Sequence, residues 1–213
     1  MAKKIGLISI GGVRVHNEKL ARHGVSLPGF VERGKVIASL PSLAMLTLAA
    51  VTPARFEVKY LEVNECDEAG KAAIDASDFD AVAVTSYAAK AHVAYEVADR
   101  FRARGTTVFF GGLHATLVGP EEPLAHADAV AIGEGEELWP RMLADWEAGK
   151  LEKVYREAAP GTYDVTKTPP PRFDLLDMKQ FNRITVQTSR GCPHDCEFCA
   201  ASKIYGPMYR LKT

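Results

Sequence analysis

Four stretches of β-branched and apolar residues each run directly into glycine or a small hydroxyl residue, and helix-forming segments separate most of them. "KIGLISI" (4–10) meets Gly11 and Gly12. "FDAVAVTSY" (79–87) carries Thr85, Ser86 and Tyr87 at its end. "TTVFFGG" (106–112) closes on Gly111 and Gly112, and "ADAVAIGEGE" (127–136) on Gly133, Glu134 and Gly135. Apolar runs without polar alternation suit strands buried on both faces, as in a parallel sheet. "RFEVKYLEV" (55–63) alternates and reads as a further strand. Between them, "PSLAMLTLAAV" (41–51) predicts a helix started by Pro41 and Ser42. "AKAHVAYEVADRFRARG" (89–105) predicts another, with Val93, Val97 and Phe101 on one face, Arg100, Arg102 and Arg104 where the dipole favours cations, and Gly105 as the stop. "EELWPRMLADWEAG" (136–149) predicts a third, with Trp139, Leu143 and Trp146 on one face and Pro140 expected in the first turn, where proline is tolerated. The fold class that follows is α/β: an open parallel sheet with helices on both faces.

In such a sheet, ligands bind outside the carboxyl ends of the strands. Glycines often end strands merely because turns need them. Four strand ends furnished with small residues favour a ligand cleft, because small residues let a ligand approach backbone N–H groups. Glu134 and Glu136 invite a metal or general-acid reading, but negative charge complementing a helix N-terminus is the simpler expectation. Residues 12–40 read as a long loop.

Composition narrows the partners. Apolar residues make up 47% and charged residues 25% of 213, so a packed core is expected. A formal net charge of −1 supplies no field for nucleic acid or an anionic membrane surface. No apolar run reaches the ~18 residues of a spanning helix, and "MAKKIGLISI" reads as a strand and not a leader. A soluble cytoplasmic protein is expected.

The pattern fades after residue 150. Residues 151–182, with Pro169, Pro170 and Pro171, read as a linker. "RITVQTS" (183–189) reads as the first strand of a second unit over 183–213. Cys192, Cys196 and Cys199 follow it, spaced Cys-x3-Cys-x2-Cys, whereas Cys66 stands alone and reads as an ordinary small side chain. Thiolates in a reducing compartment serve zinc or iron–sulfur iron. Structural zinc usually takes four protein ligands. Only one Cys-x2-Cys is present, and His194, lying between Cys192 and Cys196, would close an awkwardly tight ring. Three thiols on one loop suit a four-iron cubane with one iron left open to a chelating substrate or cofactor.

The cysteine spacing, with Phe198 before the last cysteine and "TSRGCP" leading in, closely resembles the radical S-adenosylmethionine enzymes. The resemblance implies a [4Fe–4S] cluster on Cys192, Cys196 and Cys199, with S-adenosylmethionine on the open iron, Phe198 near its adenine, and a 5′-deoxyadenosyl radical that abstracts hydrogen from substrate. "GGLHATLVGPEEPLAHADAVAIGEGEELWPRML" (111–143) is similar to the Rossmann-like cobalamin-binding domain that precedes the radical domain in one branch of that family. That likeness implies a corrinoid domain over 1–150, with Gly11, Gly12, Thr85, Ser86, Tyr87, Gly111, Gly112, His114, Gly133, Glu134 and Gly135 against cobalamin. None of the six histidines lies in the Asp-x-His-x-x-Gly pattern that ligates cobalt in many such domains. No histidine is therefore expected as lower ligand, and His114 is expected as a loop residue bonding to backbone or cofactor. The implied activity is cobalamin-dependent methyl transfer to an unreactive carbon of a small-molecule or biosynthetic-intermediate substrate, with ring formation or rearrangement open in the same family. A corrinoid- or tetrapyrrole-binding module without radical catalysis is the alternative. A barrel takes ~250 residues, far more than follow Asn182. The chain is therefore expected to be the leading part of a longer polypeptide, inactive alone and completed by a C-terminal barrel.

Overall fold

The computed structural model describes residues 2–11, 40–179, 181 and 184–212. Gly12 and nearly all of the loop expected over 12–40 lie outside these. The chain runs β1 (Lys4–Ile10), α1 (Leu43–Val51), β2 (Glu57–Val63), α2 (Glu68–Asp75), β3 (Ala81–Thr85), α3 (Ala91–Ala103), β4 (Thr107–Gly111), α4 (Leu113–Val118), α5 (Glu121–His126), β5 (Ala129–Ile132), α6 (Gly135–Glu147) and β6 (Val154–Arg156). These six strands form one sheet in the order β2-β1-β3-β4-β5-β6, and every neighbouring pair is parallel. The strand order reverses between β1 and β3, which marks the switch point of an open α/β sheet.

Period-two alternation builds the two layers. From β1, Ile5 and Leu7 face one side with Phe109 of β4, where Met45 and Ala49 of α1 and Leu138, Trp139, Met142 and Leu143 of α6 cover them. Ile8 and Ile10 face the other side with Val84, Val108 and Phe110, under Val93, Val97 and Phe101 of α3. The expected face of α3 is thus the buried one. The face expected on α6 is also inward, with Trp146 half-buried against the same cluster. Burial of each large aliphatic or aromatic side chain contributes roughly 1.5–3 kcal/mol.

Local chemistry sets the helix ends. Ser42 caps α1, its hydroxyl accepting from the Met45 N–H at 3.4 Å. Asp67 caps α2 through the Gly70 N–H at 2.9 Å. Pro140 departs from expectation. Because α6 begins at Gly135, Pro140 falls in the second turn and not the first. It lacks the N–H that would have bonded to the Glu136 carbonyl.

Beyond residue 150 the structure is more built than a linker. Val154–Arg156 adds the edge strand β6, and Tyr163, Val165 and Phe181 are buried. The strand expected over 183–189 is absent over 184–188. Only Ser189–Arg190 (β7) pairs, antiparallel, with Arg210–Leu211 (β8), and a short helix α7 (Ala201–Tyr205) lies between. An apolar alternation without a neighbouring strand has nothing to pair with. Ile184 and Val186 are accordingly exposed. Among the described residues no helix is long and apolar enough to cross a membrane.

Candidate functional site

A cleft of about 400 Å³ opens at the carboxyl ends of β1, β3, β4 and β5, beside α1 and α6. The sheet's parallel register is what gathers its lining. Gly11, Thr85, Ser86, Tyr87, Gly111, Gly112, Gly133, Glu134 and Gly135 all reach it, so nine of the eleven residues expected against a corrinoid are brought together. Met45, Leu48, Phe109, Trp139 and Met142 supply an apolar wall. Gly112 stands at φ +91°, and a Cβ there would lie 2.2 Å from Thr85 Oγ1. Only glycine fits that approach. Ser86 is 5% exposed, and its hydroxyl has no hydrogen-bond partner among the described residues. A buried hydroxyl left unpaired is costly, and one facing a cleft is the expected mark of a ligand atom to come.

His114 is not in the cleft. It sits on α4, not on a loop, and is 4% exposed. Its Nε2 shares a 2.7 Å hydrogen bond with the Tyr95 hydroxyl of α3. Burial, with the nearby Glu122 charge, pushes the Tyr95 phenol above its ordinary value. His126 stacks on the same ring at 4.2 Å and bonds to Asp99 at 2.8 Å through Nδ1. His114 thus ties α4 to α3, and none of the described histidines lines the cleft.

Glu134 and Glu136 do more than complement a helix dipole. Arg190 donates from Nη1 to Glu134 Oε1 and from Nη2 to Glu136 Oε1, both at 2.6 Å. Arg210 donates from Nη1 to Glu134 Oε2 at 2.8 Å and to the Tyr163 carbonyl at 2.7 Å. The side chains of Arg190 and Glu134 are 8% and 2% exposed. Burial alone would lower the Arg190 guanidinium, but hydrogen bonds and charge from Glu136 and Glu134 hold it above its ordinary value. The arginine partners were missed in the sequence because they lie 54 to 76 residues away. Two closely spaced acids ahead of an apolar helix were the available signal. Through this cluster the C-terminal segment is laid over the cleft, and Thr185, Gln187, Arg190, Ile204 and Tyr205 complete its lining.

Cys192, Cys196, Cys199 and Cys66 are all free thiols. Cys192 is half-buried, its N–H donating to the Gly206 carbonyl at 3.3 Å. Cys196 and Cys199 are exposed and share one turn, closed by the Cys199 N–H onto the Cys196 carbonyl at 3.1 Å. Among the described residues no three His, Cys, Asp or Glu side chains converge closely enough to hold a metal ion. Phe198 is 94% exposed. The donor set is soft and accessible on one short loop, which suits iron–sulfur ligation by a loop that folds around its cluster.

The fold and the glycine-lined cleft define a cofactor-binding α/β domain. The B12 binding domain model matches residues 33–143, and the chain belongs to that family. The chain is also similar to methyltransferases. It is 33% identical over 175 residues to the bacteriochlorophyllide d C-8(2)-methyltransferase of Chlorobaculum tepidum, covering 80% of this chain and 38% of that protein. It is 32% identical over 189 residues to the bacteriochlorophyllide d C-12(1)-methyltransferase of the same organism, covering 85% and 39%. With the hopanoid C-2 methylase of Rhodopseudomonas palustris it shares 26% over 185 residues, covering 84% and 33%. The chain thus spans less than two-fifths of the length of each of these relatives.

Proposed function

We propose that this chain is the corrinoid-carrying part of a cobalamin-dependent radical S-adenosylmethionine methyltransferase. The observation that carries the reading is the roofing of a glycine- and hydroxyl-lined cleft, in a B12-binding fold, by the segment that bears Cys192, Cys196 and Cys199. Cobalamin would rest against the strand ends. The Ser86 hydroxyl would bond to one of its polar groups, Gly111 and Gly112 would let it approach the backbone, and Trp139 and Met142 would exclude water from its apolar flank. No described histidine would serve as lower ligand. Cys192, Cys196 and Cys199 would hold a [4Fe–4S] cluster whose open iron takes S-adenosylmethionine, and Phe198, exposed here, would cover the nucleoside. When bound, these groups supply radical generation at the substrate carbon and a methyl group for it. The relatives are named for methylation of bacteriochlorophyllide and hopanoid. We propose a biosynthetic intermediate with an unreactive carbon as acceptor, bound in a barrel formed by the rest of the parent polypeptide.

The test has two arms. Titration with hydroxocobalamin followed by gel filtration is expected to give co-elution of corrinoid with the chain. Anaerobic reconstitution with iron and sulfide is expected to give a brown species that Cys196→Ala abolishes. Failure of co-elution overturns the corrinoid assignment, and iron uptake indifferent to Cys196→Ala overturns the cluster assignment.

A further inference from the structure

Arg190 and Arg210 are directly opposite each other in the β7–β8 ribbon. Two like charges at facing positions of an antiparallel pair repel. Here the Glu134 carboxylate lies against both, Oε1 accepting from Arg190 and Arg210 and Oε2 from Arg210, with Glu136 taking the second Arg190 nitrogen. The ribbon's own sequence thus opposes its formation unless the acids at the end of β5 are in place.

The backbone around the ribbon leaves little slack. Gly191 stands at φ +88°, and a Cβ on it would lie 2.0 Å from the Met208 carbonyl oxygen. A Cβ on Gly161 would lie 2.6 Å from the Tyr205 carbonyl oxygen. Arg210 also donates to the Tyr205 carbonyl at 2.8 Å, tying α7 to the same cluster. Cys192 is two residues past Arg190.

We infer that Glu134 and Glu136, with Arg190 and Arg210, are positioning residues that dock the cysteine-bearing ribbon on the cofactor domain and fix Cys192 relative to the cleft. A buried ion pair contributes little net stability compared with apolar packing, but removing one partner leaves an uncompensated charge. The Arg210 fork on Glu134, and the Arg190 fork spread across Glu134 and Glu136, fix direction as well as distance. The clamp therefore acts as a register device, and the cysteine loop takes its place from β5. This inference rests on the proposed function only for what the loop carries, since the docking itself needs no cofactor.

The test is hydrogen exchange and thiol alkylation on the chain without metal, comparing Glu134→Gln with Glu147→Gln, which removes the same charge from an exposed pair with Arg55. The Cys192 amide, bonded to Gly206, and the Lys212 amide, bonded to Thr188, report the ribbon. Glu134→Gln is expected to lower their protection roughly tenfold or more and to raise Cys192 alkylation relative to Cys196. The amides of β1 and β3 should keep theirs, and Glu147→Gln should change nothing. If Glu134→Gln also unfolds the sheet, Glu136→Gln, which weakens only the Arg190 side of the clamp, is judged by the same criteria. Unchanged protection of Cys192 and Lys212 overturns the clamp even if iron and corrinoid bind. Absence of iron uptake by the unaltered chain overturns the cluster assignment, and the amides alone then decide the clamp.

Discussion

Arg190 Nη1 lies 2.6 Å from Glu134 Oε1 although 56 residues separate them. One end of the contact is the turn that closes β5, and the other is the strand that leads into the first clustered cysteine. Glu134 also accepts from Arg210, and its N–H donates to the Glu157 carboxylate at 3.2 Å. A residue placed by the sheet is thereby made the anchor of a segment that has almost no sheet of its own.

Global and local stability should separate on this contact. Leu143 is fully buried between α6 and the sheet, so Leu143→Ala is expected to lower the urea unfolding free energy by about 2–5 kcal/mol. Arg190→Met should release the ribbon and let Glu134 and Glu136 rehydrate. Its cost to the main transition, followed by Trp139 and Trp146 fluorescence, should then stay below about 1 kcal/mol. An equal loss in both variants would make the ribbon part of the cooperative core.

Gly112→Ala should be worse than Gly105→Ala. Both glycines have positive φ, +91° and +78°, but Gly112, with ψ −160°, lies in a backbone region open essentially only to glycine. A Cβ at Gly105 meets nothing within 4 Å, whereas one at Gly112 strikes Thr85 Oγ1. The excess loss in thermal midpoint of Gly112→Ala over Gly105→Ala reads the backbone strain at Gly112 and that collision together. Hydroxocobalamin co-elution should fail for Gly112→Ala alone.

The parts legible in the sequence are those fixed by local pattern. Continuous apolar runs ending in small residues mark four strands of the sheet, the alternation over 55–63 marks a fifth, and apolar residues three or four apart mark the inward faces of α3 and α6. The strand ends converge because a parallel sheet must align them, so the cleft residues could be named without knowing the strand order. Three-residue β6 and six-residue α4 carry too little pattern to be seen, and α2 buries only Ile74. His114 was misplaced because its partner Tyr95 lies on another helix, 19 residues away. The role of Glu134 was hidden for the same reason. A buried acid is recognisable only once its cations are known, and Arg190 and Arg210 lie 56 and 76 residues further along, in a two-residue ribbon too short to leave a local pattern.

Ser86→Ala should uncouple stability from binding. The buried hydroxyl has no partner among the described residues, so its loss is expected to leave the unfolding free energy of the ligand-free chain unchanged or slightly raised. Loss of one hydrogen bond to a bound corrinoid, worth about 0.5–1.5 kcal/mol, should weaken hydroxocobalamin binding by roughly threefold to tenfold. Equal affinity in titrations of the two proteins would place the corrinoid's polar groups elsewhere.

Glu157 sets a pH dependence whose sign is opposite to that of an ion-paired carboxylate. Burial raises its carboxyl above the ordinary glutamate value, and the Glu134 N–H, the first counterweight, offsets this only in part. A carboxyl raised in the folded state favours folding while protonated. That contribution is fully present below the unfolded value and is lost as pH rises through the higher folded one. The ionised group is then a net cost at neutral pH. Glu157→Gln keeps an acceptor for the Glu134 N–H without the charge. Its advantage over the unaltered chain in urea midpoint should be small near about pH 4 and grow toward about pH 7. A variant less stable near neutral pH than the unaltered chain would mean that Arg210, which pulls the carboxyl the other way, outweighs burial.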